Sequence, residues 1–91
     1  MGGYAPAFAG QVAVVTGITR GIGRATAMKL LAQGAAVAGI YVSNDEAAMS
    51  LREAAESIGG RVRLYKGSVD DPAFVRSMME DVYTTFGRID V

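Results

Sequence analysis

The stretch Thr16-Gly17-Ile18-Thr19-Arg20-Gly21-Ile22-Gly23 has the residue types and spacing to do chemistry. Three glycines fall within seven residues. Glycine lets the backbone take positive φ, and it lets an anion approach with no β-carbon in the way. The stretch follows a valine-rich run and precedes a helical pattern. It therefore lies where the carboxyl end of a strand meets the start of a helix. The first N–H groups of a helix lack partners there, and the positive end of its dipole points outward. That arrangement suits the capture of a phosphate or a dinucleotide. The alternative is a plain strand-to-helix turn with glycines for geometry. The spacing Gly-x-Gly-x-x-Gly is not met, because Thr26 takes the third place. Ala25 and Thr26, being small, are expected to let the helix lie close to the strand.

What is missing narrows the rest. The chain has 91 residues, enough for one domain with one modest core. It has no cysteine, so it offers no disulfide scaffold, thiolate nucleophile or thiolate metal site. With no histidine, a Ser-His-Asp triad is impossible and the commonest metal ligand is absent. No metal site is expected. Nine basic residues balance nine acidic ones, which gives no footprint for nucleic acid and no polybasic face for anionic lipid. No apolar run approaches the roughly 20 residues of a membrane span. Met1 to Gly10 carries no basic leader, and a cytoplasmic location is expected.

The elements that must position the glycine turn can be read from periodicity. Residues 1–10 read as an irregular arm, and residues 11–91 as the domain. Gln11 to Thr16 is a short, nearly continuous apolar run, as in a strand buried on both faces. A helical stripe follows from Ile22 through Ala25, Ala27, Met28, Leu30 and Leu31, and Gly34 closes it. Ala36 to Val42 is a second strand-like run. Ser43-Asn44-Asp45 offers helix caps to a helix carrying Ala47, Ala48, Leu51, Ala54, Ala55 and Ile58. Arg61 to Lys66 alternates polar and apolar, as a strand with one wetter face does. Asp71-Pro72 opens a third helix, with Phe74, Val75, Met78, Met79, Val82, Tyr83 and Phe86 as its stripe and Gly87 as its stop. Ile89 to Val91 reads as the opening of a fourth strand. Strands alternating with helices predict an α/β fold: three parallel strands with crossover helices.

These residues resemble the short-chain dehydrogenase/reductase family. Thr16-Gly-x-x-x-Gly-Ile-Gly23 resembles its cofactor motif. Gly10 to Gly17, Gly34-Ala-Ala-Val37 and Phe86 to Val91 resemble its first, second and fourth strand segments. Within the family, Arg20 in the turn and the tract Tyr41…Asn44-x-Glu46 are most similar to the 3-oxoacyl-(acyl-carrier-protein) reductase type. The resemblance implies a partial Rossmann, doubly wound fold that stops at the start of strand 4. It implies a nicotinamide dinucleotide as partner, and a small-molecule or acyl-thioester substrate for a full-length parent.

An NAD site places an acid after the second strand to hold the ribose 2′-hydroxyl. The corresponding position here is Tyr41, with no carboxylate to repel a 2′-phosphate. Arg20 supplies a fork of donors for that phosphate, and Ser43 and Asn44 supply neutral hydrogen bonds. NADP(H) is therefore expected over NAD(H); a rotated Asp45 reaching the ribose is the counter-reading. After the third strand, Ser68-Val69 stands where the family has Asp-Val against the adenine. Gly17, Thr19, Gly21, Ile22 and Gly23 complete the expected cofactor residues. Asp70 and Asp71 read as helix caps.

The family's catalytic Tyr-x-x-x-Lys is absent: Tyr4, Tyr41, Tyr65 and Tyr83 are followed four places on by Phe8, Asp45, Val69 and Gly87. No catalytic residue is expected in these 91 residues. They read as the cofactor-binding portion of a longer NADPH-dependent carbonyl reductase. The alternative is a non-catalytic dinucleotide-binding or oligomerisation module. An unpaired first strand is valine-rich and invites pairing with another chain, so a homo-oligomer is expected.

Overall fold

A computed structural model describes residues 9–90; the arm expected over 1–8 and Val91 fall outside them. The elements run β1 (Val12–Thr16), α1 (Gly21–Ala32), β2 (Ala36–Tyr41), α2 (Asp45–Ser57), β3 (Arg61–Lys66) and α3 (Pro72–Phe86). The three strands are parallel, in the order β1-β2-β3. Val12 pairs with Ala36 and Ala36 with Arg61, so the strands start level and their carboxyl ends lie together. This is the open three-stranded sheet expected of a partial doubly wound fold.

β2 is buried along its length except at Tyr41, as its unbroken apolar run requires. Its alternate residues serve two cores. Ala36, Ala38 and Ile40 join Val12 against Met78 and Val82 of α3. Val37 faces Ala27 and Leu31 of α1 and Leu51 and Ala55 of α2 on the other side. Thus α1 and α2 cover one face and α3 the other. β3 alternates in burial, as its sequence does.

Three helix stops or starts follow from single residues. Asn44 Oδ1 accepts from Ala47 N–H at 3.0 Å and caps α2. Asp71 Oδ1 accepts from Ala73 and Phe74 N–H at 3.0 and 3.3 Å, and Pro72 occupies the first position of α3. Gly87 ends α3 in the left-handed region at φ +83°.

Some expectations fail at the edges of elements. α1 begins at Gly21 rather than Ile22, and Ile22 is 86% exposed instead of forming part of a core stripe. Ala25 and Thr26 are exposed as well; Gly23 brings the helix close to the turn, and Ala27 is the small residue buried against the sheet. Val42 lies beyond β2, exposed, and Ile58 and Tyr83 are exposed at the margins of their stripes. Hydrophobicity alone does not tell a helix margin from a helix face.

Ile89 and Asp90 do not form a strand, yet they lie against β1. Asp90 N–H donates to the Val12 carbonyl at 2.9 Å, and Val12 N–H donates to Asp90 Oδ2 at 2.8 Å. Arg88 closes the pair from the other side, Nη2 to Oδ1 at 2.6 Å. Arg88, and then the Val12 N–H, hold the Asp90 carboxyl below the usual carboxylate range.

α3 is pinned to β3 by a second carboxylate. Asp81 Oδ2 accepts from Arg63 Nε at 2.8 Å and from the Tyr65 hydroxyl. Burial, and then the Asp81 carboxylate, push the Tyr65 hydroxyl up to about 12. The same hydroxyl, with Arg63, keeps Asp81 below its ordinary value.

Candidate functional site

The loops after all three strands open at the carboxyl edge of the sheet. A cleft of about 500 Å³ lies between them. Gly17, Thr19 and Arg20 line it after β1, Tyr41, Ser43 and Asn44 after β2, and Ser68 and Val69 after β3. Eight of the eleven residues expected to hold a cofactor thus meet in one concavity. The other three, Gly21, Ile22 and Gly23, continue from its wall as the first turn of α1.

The turn is anchored from beneath by Ile18. This side chain is fully buried, and its N–H donates to the Ile40 carbonyl at 3.1 Å. A β-carbon on Gly39 would overlap the Ile18 side chain, so the gap in β2 is the socket for Ile18. Arg20 N–H closes the turn on the Gly17 carbonyl at 3.2 Å. Gly17 itself stands at φ +62°.

The glycines have different tasks. A β-carbon on Gly23 would overlap the Gly17 carbonyl oxygen, so Gly23 lets the helix close onto the turn. A β-carbon on Gly21 would meet no protein atom within 4 Å, which leaves its approach open to a ligand. Closing the helix on the turn, rather than making room for a ligand, is what Gly23 supplies.

α1 also starts unlike its neighbours. Arg20 occupies the cap position and makes no side-chain capping bond, and the first turn holds no acid. A side chain caps α2 and another caps α3. The N–H groups of Gly21, Ile22 and Gly23 therefore point their dipole into the open with no side-chain acceptor. Among the described residues, no carboxylate pairs with the Arg20 guanidinium.

Four other expectations are sharpened. Asp45 does not line the cleft; its Oδ2 accepts from Lys66 Nζ at 3.2 Å. Asn44 does line it, but its amide oxygen is committed to capping α2, which leaves the amide nitrogen as donor. Asp71 caps α3, as expected, whereas Asp70 does not and lines the cleft instead. Pattern alone gave no reason to prefer one of two adjacent acids before a proline. Ser68 Oγ accepts from Asp70 N–H at 3.1 Å, so its hydroxyl hydrogen remains for a ligand.

A larger concavity of about 600 Å³ runs along the outer edge of β3, beside Arg61, Arg63 and Phe86. It contains no glycine turn and no helix start, and its arginines already have partners within the protein. Arg63 is taken by Asp81, and Arg61 stacks 5.6 Å above the Phe86 ring. The cleft at the strand ends is the better candidate. Among the described residues no group of three or more acidic, histidine or cysteine side chains could hold a metal, and no helix is long and apolar enough to cross a membrane.

Residues 11–91 match the family model described as short chain dehydrogenase. The chain is 37% identical over 84 residues to the 3-oxoacyl-(acyl-carrier-protein) reductase FabG of Salmonella typhimurium, covering 92% of this chain and 33% of that protein. A mutant short-chain dehydrogenase/reductase of Serratia marcescens superposes with a TM-score of 0.86 at 34% identity, over 91% of this chain and 34% of that one. A short chain dehydrogenase of Burkholderia cenocepacia in complex with NADP superposes with a TM-score of 0.85 at 37% identity, over 91% and 34%. The chain thus spans about a third of the length of the relatives it matches.

Proposed function

The chain belongs to the short-chain dehydrogenase family, and from that premise we propose that it forms the dinucleotide-binding portion of an NADPH-dependent carbonyl reductase. The observation that carries this reading is the uncapped start of α1 beside a glycine turn that leaves room for a ligand. The residues fit such a cofactor. Gly21, Ile22 and Gly23 present N–H groups to a pyrophosphate, and no β-carbon at Gly21 stands in its way. Arg20 offers its guanidinium to a 2′-phosphate, with Ser43 Oγ and the Asn44 amide nitrogen as neutral donors. Tyr41 closes the end of β2 without a carboxylate. Asp45 pairs with Lys66 and does not line the cleft, which weighs against its reaching the ribose. NADP(H) is favoured over NAD(H) on these grounds.

The cofactor, when bound, supplies a hydride to a carbonyl carbon. What these residues contribute is binding and orientation: they fix the adenine end and exclude water from the pyrophosphate. For the substrate, a 3-oxoacyl thioester is favoured by the similarity to FabG. A second reading rests on one observation, the absence of any Tyr-x-x-x-Lys in the sequence. On that reading the 91 residues hold the nucleotide without turnover. The two readings separate in one experiment: extend the chain by its native continuation, or use it alone, and follow NADPH oxidation at 340 nm with a 3-oxoacyl thioester. Turnover by the extended protein is the result expected of the reductase portion; NADPH binding without turnover by the extended protein would favour the second reading. Absence of NADPH binding by both would overturn the reading.

A further inference from the structure

Ile18 is the one buried residue of the glycine turn, and Gly39 is the one residue of β2 without a side chain. A glycine inside a strand weakens it, having nothing to pack and more freedom to lose. Gly39 is buried and does not line the cleft, so it makes no room there for a ligand. The turn takes the space it leaves. A β-carbon at Gly39 would overlap Ile18 Cδ1 and stand 2.9 and 3.0 Å from Ile18 Cγ2 and Cβ.

Backbone connects this seat to the groups that face the cleft. The Ile18 side chain belongs to the core shared by Ala27 and Leu31 of α1, Val37 of β2 and Leu51 of α2. Its N–H carries the pairing of β1 with β2 one step further, to the Ile40 carbonyl at 3.1 Å. On one side stands Gly17, whose carbonyl accepts from Arg20 N–H at 3.2 Å and abuts Gly23. On the other side Thr19 and Arg20 line the cleft. A close-packed interior passes a misfit on rather than absorbing it. A displaced Ile18 therefore carries Gly17, Arg20 and the start of α1 with it.

We propose that Gly39 is a positioning residue for the dinucleotide: by seating Ile18 in the sheet, it holds the glycine turn and the first N–H groups of α1 where they bind the pyrophosphate. The inference rests on the dinucleotide reading of the cleft. Gly39 acts through Ile18, so the effect of changing either residue depends on the other.

The test is a double-mutant cycle read by titration calorimetry with NADPH, well below the melting temperature of each variant. Gly39→Ala overfills the socket and should weaken NADPH binding roughly tenfold. Ile18→Ala empties the socket, frees the turn and should weaken binding by a similar factor. With both changes, the β-carbon added at position 39 fills part of the space left at position 18, and binding should be tighter than in either single variant. Losses that multiply in the double variant would overturn the positioning role and leave the dinucleotide reading standing. So would single variants that melt lower yet bind NADPH as the native protein does. Should Gly39→Ala fail to fold, Ile18→Ala against the double variant decides: recovered affinity supports the role, and no recovery overturns it. Absence of NADPH binding by the native protein would overturn both readings.

Discussion

On the proposed reading Arg20 carries the choice between cofactors, and among the described residues it has no ion pair. Replacing it with alanine should weaken NADPH by roughly tenfold, or about 1.5 kcal/mol, the low end for a hydrogen bond to a charged group. NADH, with no 2′-phosphate, should lose much less, and paired calorimetric titrations of R20A would check this. The glycines give a second pair of outcomes. Gly23→Ala forces a β-carbon into the Gly17 carbonyl and should cost roughly 1–3 kcal/mol in thermal stability, as overpacking does. Gly21→Ala meets no protein atom, so it should leave the melting temperature nearly unchanged while weakening cofactor binding. If both substitutions destabilised equally, the division of labour between these glycines would be wrong. Spacing made the turn legible in the sequence but not this division, because three glycines look alike until their neighbours in space are known. Ile18 was equally hidden: its socket is Gly39, twenty-one residues away on another strand.

At the level of elements, the strands and helices were legible because each has one dominant period and a clear stop. β2 is apolar without a break, β3 alternates, and α3 opens on Asp-Pro and closes on glycine. Margins were not legible: Ile22 sits on an open helix face, and Val42 belongs to the cleft rather than to β2. Caps should behave as single contributions. Asn44→Ala and Asp71→Ala should each cost about 1 kcal/mol in urea unfolding. The pin between β3 and α3, together with the Asp90 contact on β1, predicts a pH dependence at both extremes. Asp81 and Asp90 titrate below the ordinary carboxylate range when folded, so their contribution is complete above that range and fades as pH falls through it. Tyr65 titrates at about 12 instead of 10, so its contribution is complete below pH 10 and is lost as pH rises from 10 towards 12. The melting temperature of Tyr65→Phe should therefore lie below that of the native protein at pH 8 and approach it as pH rises above 10. A constant gap would count against the pin.

Across the whole molecule, one open parallel sheet brings three loops to one edge, and the cleft exists because the strands start level. On the edge of β1 away from β2, Val12 hydrogen-bonds in both directions with Asp90. Asp90→Ala should expose that edge further, and sedimentation velocity at tens of micromolar should show more self-association than in the native chain. Unchanged sedimentation would separate the β1 edge from assembly. The proposed function requires that the loops at the strand ends hold a dinucleotide by its phosphates. Its most direct measurement is calorimetric titration of the protein with NADPH against NADH. Saturable binding of NADPH, about tenfold tighter than NADH, is the result predicted; tighter binding of NADH, or of neither, would contradict it.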